Sequence, residues 1–101
     1  MARIVVTEPA DSDLAAIVHY LAGEAGAATA EKYVGRFDTL FAQLAAFPGS
    51  GAPRPLLGPA VRIGLVPPYI VIYEHEPGDD TVMILRVVHG RRKIARDLLG
   101  G

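Results

Sequence analysis

Two β-rich runs separated by a turn constrain this chain more than any other feature. Tyr69-Ile70-Val71-Ile72-Tyr73 consists of β-branched and aromatic side chains, which disfavour a helix and suit a pleated, half-buried surface. Thr81 to Val88 repeats that character after Glu76-Pro77-Gly78-Asp79-Asp80, where Asp79-Asp80 is good turn chemistry behind Pro-Gly. The pair predicts a β-hairpin. Its second strand delivers His89, Gly90, Arg91, Arg92 and Lys93 to one end of a sheet, so surface chemistry is expected to concentrate there.

The remaining elements follow from that hairpin outward. Ala60 to Val66 predicts a preceding strand, and Pro67-Pro68 ends it because a proline pair cannot occupy the middle of a ladder. The three strands form an antiparallel meander, to which Ile4-Val5-Val6 adds a short strand at an edge the sequence does not select. After Glu8-Pro9, carboxylates at Asp11 and Asp13 favour a helix N-terminus, and Leu14, Ile17, Val18 and Leu21 make one apolar face. This first helix is expected from about Pro9 to Ala22. Gly23 and Gly26 mark a turn, and Ala27 to Phe47 carries a second helical stripe through Ala30, Tyr33, Val34, Phe37, Leu40, Phe41 and Leu44. A short connection folds two such helices into an antiparallel hairpin, whose apolar stripe needs the sheet as partner. The predicted class is α+β, in the order β-α-α-β-β-β, with two layers around one core. Ser50 to Pro59 reads as a loop, and Ile94 to Leu99 as a short terminal helix or a tail.

With 101 residues, half of them hydrophobic and 21% charged, the chain reads as one globular domain spanning 1–101. No apolar run is long enough to cross a bilayer and no signal-peptide core follows Met1, so a cytoplasmic location is expected. The absence of cysteine removes disulfides, thiolate catalysis and thiolate-bound zinc. A net charge of −1 argues against a general nucleic-acid binder, but the charge is unevenly spread. Five acids and no Lys or Arg fall between Ile4 and Glu31, whereas Arg86, Arg91, Arg92, Lys93 and Arg96 are half of the ten basic residues. A positive end is expected, able to steer an acidic partner.

Candidate site residues each carry a structural alternative. Arg62 reads either as a ladder residue paired to an acid such as Glu74 or as a contact to a partner. His89, at a strand end, reads as a structural histidine or as a catalytic group together with Arg91. Arg91-Arg92-Lys93 is a solvated charge run or a contact surface. Glu74-His75-Glu76 does not form a metal site, because strand alternation sends the carboxylates to one face and the imidazole to the other. Gly49, Gly51 and Gly58 lack the Lys-Ser or Lys-Thr of a phosphate loop. No cofactor or metal is expected. Tyr33, Phe37 and Phe41 read as core, and Leu99-Gly100-Gly101 as a frayed terminus.

Taken in order, Asp13-Leu14-Ala15-Ala16-Ile17-Val18-His19-Tyr20, Leu44-Ala45-Ala46-Phe47-Pro48-Gly49, Arg62, Tyr69-Ile70-Val71-Ile72-Tyr73 and Val88-His89-Gly90-Arg91-Arg92 resemble the RelE/ParE toxin superfamily over nearly the whole chain. The resemblance implies the toxin of a type II toxin–antitoxin system, neutralised in a hetero-oligomeric complex with a ParD-like antitoxin. In the RelE branch, which cuts mRNA on the ribosome, an arginine follows the aromatic that starts this strand. Here that residue is Ile70, and Ile94 to Leu99 holds no Tyr or His as a late acid–base group. The resemblance therefore favours the ParE branch, whose members inhibit DNA gyrase without an RNase site. It carries over no catalytic residue, with His89 and Arg91 the only weak candidates, and makes Arg62, Arg86, His89, Arg91, Arg92 and Lys93 the expected contacts to target or antitoxin. A RelE-type endonuclease with a degenerate site, or an inactive binding module of the same fold, are the alternatives.

Overall fold

A computed structural model describes residues 1–92, 94 and 96–99. The elements run β1 (Arg3–Val6), α1 (Glu8–Ala25), α2 (Ala27–Ala46), a 3-10 turn (Pro48–Ser50), β2 (Ala52–Pro53), β3 (Val61–Val66), β4 (Tyr69–Glu76), β5 (Thr81–His89) and a second 3-10 turn (Arg96–Leu99). They form one five-stranded sheet in the order β1-β5-β4-β3-β2. β3, β4 and β5 make the expected meander. β1 lies parallel to β5, with Ile4 opposite Val82, which fixes the edge that the sequence left open. The chain between them, the helical hairpin followed by β2 to β4, supplies the long connection that a parallel pairing requires.

Thr7 sets the junction between β1 and α1. Its hydroxyl accepts from the Ala10 N–H at 3.4 Å as a helix cap and donates to the Ile84 carbonyl at 2.7 Å. The helix runs to Ala25, three residues past the predicted end at Ala22. Gly23 stays helical, a cost of about 1 kcal/mol relative to alanine, while Gly26, at φ 92°, takes the backbone conformation that ends the helix. In α2, Phe37, Leu40 and Leu44 are buried as the stripe predicts, but Val34 is exposed. Gly64 on β3 lets α2 approach closely, since a Cβ there would lie 3.1 Å from the Leu40 side chain.

The expectation of a single two-layer core is incomplete. Helix residues Phe37, Leu40 and Leu44 pack with Val71, Tyr73, Val82, Ile84 and Val87 on one face of the sheet. A second cluster covers the other face: Leu57, Val61, Ile63, Ile72 and Val88, joined by Ile94, Leu98 and Leu99. The C-terminal 3-10 turn thus lies over apolar surface of the sheet. Burial on both sides explains why β4 and β5 read as continuous apolar runs instead of alternating ones. The Ser50–Pro59 segment, expected to be a plain loop, contributes β2 at the edge of β3 and Leu57 to this outer cluster.

Candidate functional site

The backbone at the end of β5, where the cationic run begins, is tightly fixed. Tyr69 at the start of β4 pairs with His89 at the end of β5. Gly90 donates to the Pro68 carbonyl at 2.7 Å, and a Cβ at position 90 would stand 3.0 Å from that oxygen. The Arg92 N–H bonds the His89 carbonyl at 2.9 Å, and the Arg91 N–H bonds His89 Nδ1 at 3.0 Å. With Nδ1 accepting, the neutral imidazole carries its proton on Nε2. Arg91 and Arg92 are exposed just beyond the strand; Lys93 lies outside the described residues.

The His89 ring does not face those guanidinium groups' turn alone. It stands edge-on to Tyr69 at 5.8 Å, and Tyr69 in turn meets Tyr33 edge-on at 5.9 Å. Together with Ile17, Tyr20 and Leu21 these rings line a groove of about 450 Å³ between the helical hairpin and the sheet end. Among the described residues no Lys or Arg lines it. Burial, then the neighbouring Tyr33 and Tyr20, push the Tyr69 phenol above its usual value, so it stays a neutral hydroxyl. Tyr33, expected to be core, is only partly buried and forms a wall of this groove.

Two of the predicted contact residues are engaged elsewhere. Arg86 donates through Nε and Nη2 to the two Asp13 oxygens at 2.7 and 3.0 Å, and through Nη1 to the Leu98 carbonyl at 2.9 Å. The same Asp13 carboxylate accepts the Val87 N–H at 2.9 Å. β1 ends at Val6, opposite Ile84, so β5 loses its outer neighbour there; Asp13 takes the strand's place at Val87. A register shift opposite Ile72/Tyr73 leaves Leu85 without a β4 partner between Ile84 and Arg86. The carboxylate's hydrogen bond raises the Arg86 pKa further, against the effect of burial. Arg62 likewise donates to the carbonyls of Gly49 at 3.1 Å and Gly51 at 2.8 Å, not to Glu74. Its partner across the sheet is Tyr73, four ladder steps from the Tyr69–His89 pair, or about 13 Å. The five candidates within the described residues therefore do not converge. Asp13 was legible only as a helix-dipole carboxylate, since its partner lies 73 residues away. At the opposite end, His75 Nε2 lies 2.8 Å from an Asp80 oxygen.

A helical hairpin laid over this sheet order, ending in a short cationic turn, has close counterparts. The family model described as "ParE toxin of type II toxin-antitoxin system, parDE" matches residues 4–94. This chain belongs to the ParE toxin family. It is 34% identical to Toxin ParE3 of Caulobacter vibrioides over 98 residues, 97% of this chain and 96% of that one. Among solved structures it resembles the chromosomal ParDE toxin–antitoxin system from P. aeruginosa, with a TM-score of 0.73 and 26% identity over 88% of this chain and 96% of the other. It also resembles the toxin–antitoxin complex RelBE2 from Mycobacterium tuberculosis, at 0.61 and 25% over 87% and 96%. The ParE family's role is inhibition of DNA gyrase, and its partner is a cognate antitoxin. Among the described residues no helix is long and apolar enough to cross a membrane.

Proposed function

We propose that this ParE-family chain acts in the cytoplasm as a non-enzymatic inhibitor, engaging gyrase through the Arg91-Arg92 turn and the His89 groove beside it. The observation that carries this reading is the apolar, tyrosine-walled surround of His89. Cleaving RNA needs a base for the 2′-hydroxyl, a cation on the phosphorane and a proton for the leaving oxygen. His89 supplies one such group, but no cationic side chain among the described residues lines its groove. Ile70, where the ribonuclease branch has arginine, packs into the outer-face cluster, away from the helix-side groove that His89 borders. Groups that bind without reacting fit this geometry: rings offering apolar area, and two exposed arginines in the turn that follows His89.

Expression without antitoxin tests it. Growth should stop with DNA breaks and intact transcripts, and His89→Ala should leave no more RNA uncut than the wild type. Ribosome-dependent transcript cleavage that disappears in His89→Ala would establish the ribonuclease reading instead.

A further inference from the structure

The outer face of the sheet carries a pocket that shares no residue with the tyrosine groove around His89. It measures about 390 Å³, and its walls are Pro53, Pro55, Leu56, Leu57, Ile63 and Ile94. Small-molecule sites span roughly 300–1,000 Å³ and are mostly apolar, with a few polar groups that orient the ligand. Leu57 and Ile63 are buried members of the outer cluster, whereas Leu56, 90% exposed, is the part of the wall that meets solvent. An apolar side chain left that open adds to the surface a ligand could cover.

The loop that forms these walls is fixed by its own hydrogen bonds. Three successive turns shape it: the Leu57 N–H donates to the Arg54 carbonyl at 2.9 Å, the Gly58 N–H to Pro55 at 3.2 Å and the Val61 N–H to Gly58 at 3.2 Å. The Arg54 N–H ties it to β3 through the Val61 carbonyl at 2.8 Å. Prolines at 53, 55 and 59 restrict the backbone further.

Arg54 is the one charged residue that lines the pocket among the described residues. Its Nη1 donates to the Pro53 carbonyl at 2.9 Å, while Nε and Nη2 donate to nothing among the described residues. No Asp or Glu there pairs with it. Nε and Nη2 are an adjacent pair of donors that a carboxylate can accept bidentately. One guanidinium balances one carboxylate, whereas a phosphate monoester brings nearly two negative charges.

We propose that this pocket binds a small amphipathic carboxylate of the medium-chain fatty-acid class, with its alkyl chain over Leu57 and Ile63 and its head group on Arg54. The test titrates the full-length toxin with hexanoate, octanoate and decanoate below their micelle concentrations, and with octan-1-ol, by calorimetry and methyl NMR. One carboxylate should bind per chain, shifting the Leu57 and Ile63 methyl signals. Affinity should rise about tenfold at each two-carbon step, and octan-1-ol should bind about tenfold more weakly than octanoate. Arg54→Gln, on an exposed side chain, should bring octanoate down to the alcohol's affinity. Leu56→Glu, also exposed, should weaken octanoate more than the alcohol by placing a like charge beside the head group.

Octan-1-ol bound as tightly as octanoate would overturn the anionic class. Shifts confined to Tyr33, Tyr69 and His89 would move the ligand to the other groove, and uptake that never saturates would reduce it to detergent action; either result overturns the site. A toxin that takes up no carboxylate but self-associates, and stops doing so in Leu56→Glu, would give the pocket to a second copy instead.

Discussion

The Asp13 carboxylate joins parts of the chain that lie far apart in sequence. It accepts two bonds from Arg86 and one from the Val87 N–H, while Arg86 also holds the Leu98 carbonyl. One pair thus joins α1, β5 and the C-terminal turn. Asp13→Asn places amide hydrogens against donors, so it should cost about 2–3 kcal/mol, read as a lowered urea midpoint with unchanged slope. Tyr73 makes a different prediction. Its buried hydroxyl donates to the Pro48 carbonyl at 2.7 Å and accepts from the Gly51 N–H at 2.9 Å. Burial raises its pKa, outweighing the Gly51 hydrogen bond and the Arg62 charge. The unfolded chain then releases this proton first, near pH 10. Stability is complete below that pH and declines as the pH climbs toward the folded-state value. Denaturation midpoints should fall between pH 8 and pH 10.5, with Tyr69, shifted in the same direction, adding to the loss. Tyr73→Phe should start lower at pH 8 and fall less.

At the scale of elements, local rules and long-range pairing differ in how well they can be read. Both helices and the β3-β4-β5 meander were legible because side-chain periodicity, turn chemistry and Pro67-Pro68 are local signals. The parallel seat of β1 was not, since four residues carry no information about their neighbour. Nor was β2, whose two residues are held by tertiary contacts: Arg62 and Tyr73 both bond the segment that leads into it. Gly51 looked like a loop glycine but meets the core. A Cβ there would lie 2.5 Å from both the Ile63 carbonyl and the Tyr73 hydroxyl. Gly51→Ala should therefore destabilise by about 1–3 kcal/mol, whereas Gly49→Ala, with open space around the site, should be close to neutral. Thermal melts of the two variants make the comparison.

For the molecule as a whole, basic residues close in sequence at the C-terminal end of the chain have different surroundings. Arg86 is tied to Asp13, whereas Arg91 and Arg92 are exposed in the turn after β5. The sequence showed where charge accumulates along the chain but not which guanidinium groups the fold consumes. His89 was legible as a strand-end residue, while the tyrosine groove beside it combines Tyr20 and Tyr33 from the hairpin with Tyr69 from β4. Those rings are 13 to 49 positions apart and meet only after packing.

The central claim is inhibition by binding, and a supercoiling titration at several gyrase concentrations tests it most directly. The toxin concentration for half-inhibition should rise in step with enzyme concentration once binding is tight, antitoxin should restore activity, and Arg91→Glu/Arg92→Glu should shift the curve about tenfold or more to higher toxin. Supercoiling that continues unchanged at large toxin excess, from a preparation that still arrests growth and cleaves ribosome-bound mRNA, would contradict it.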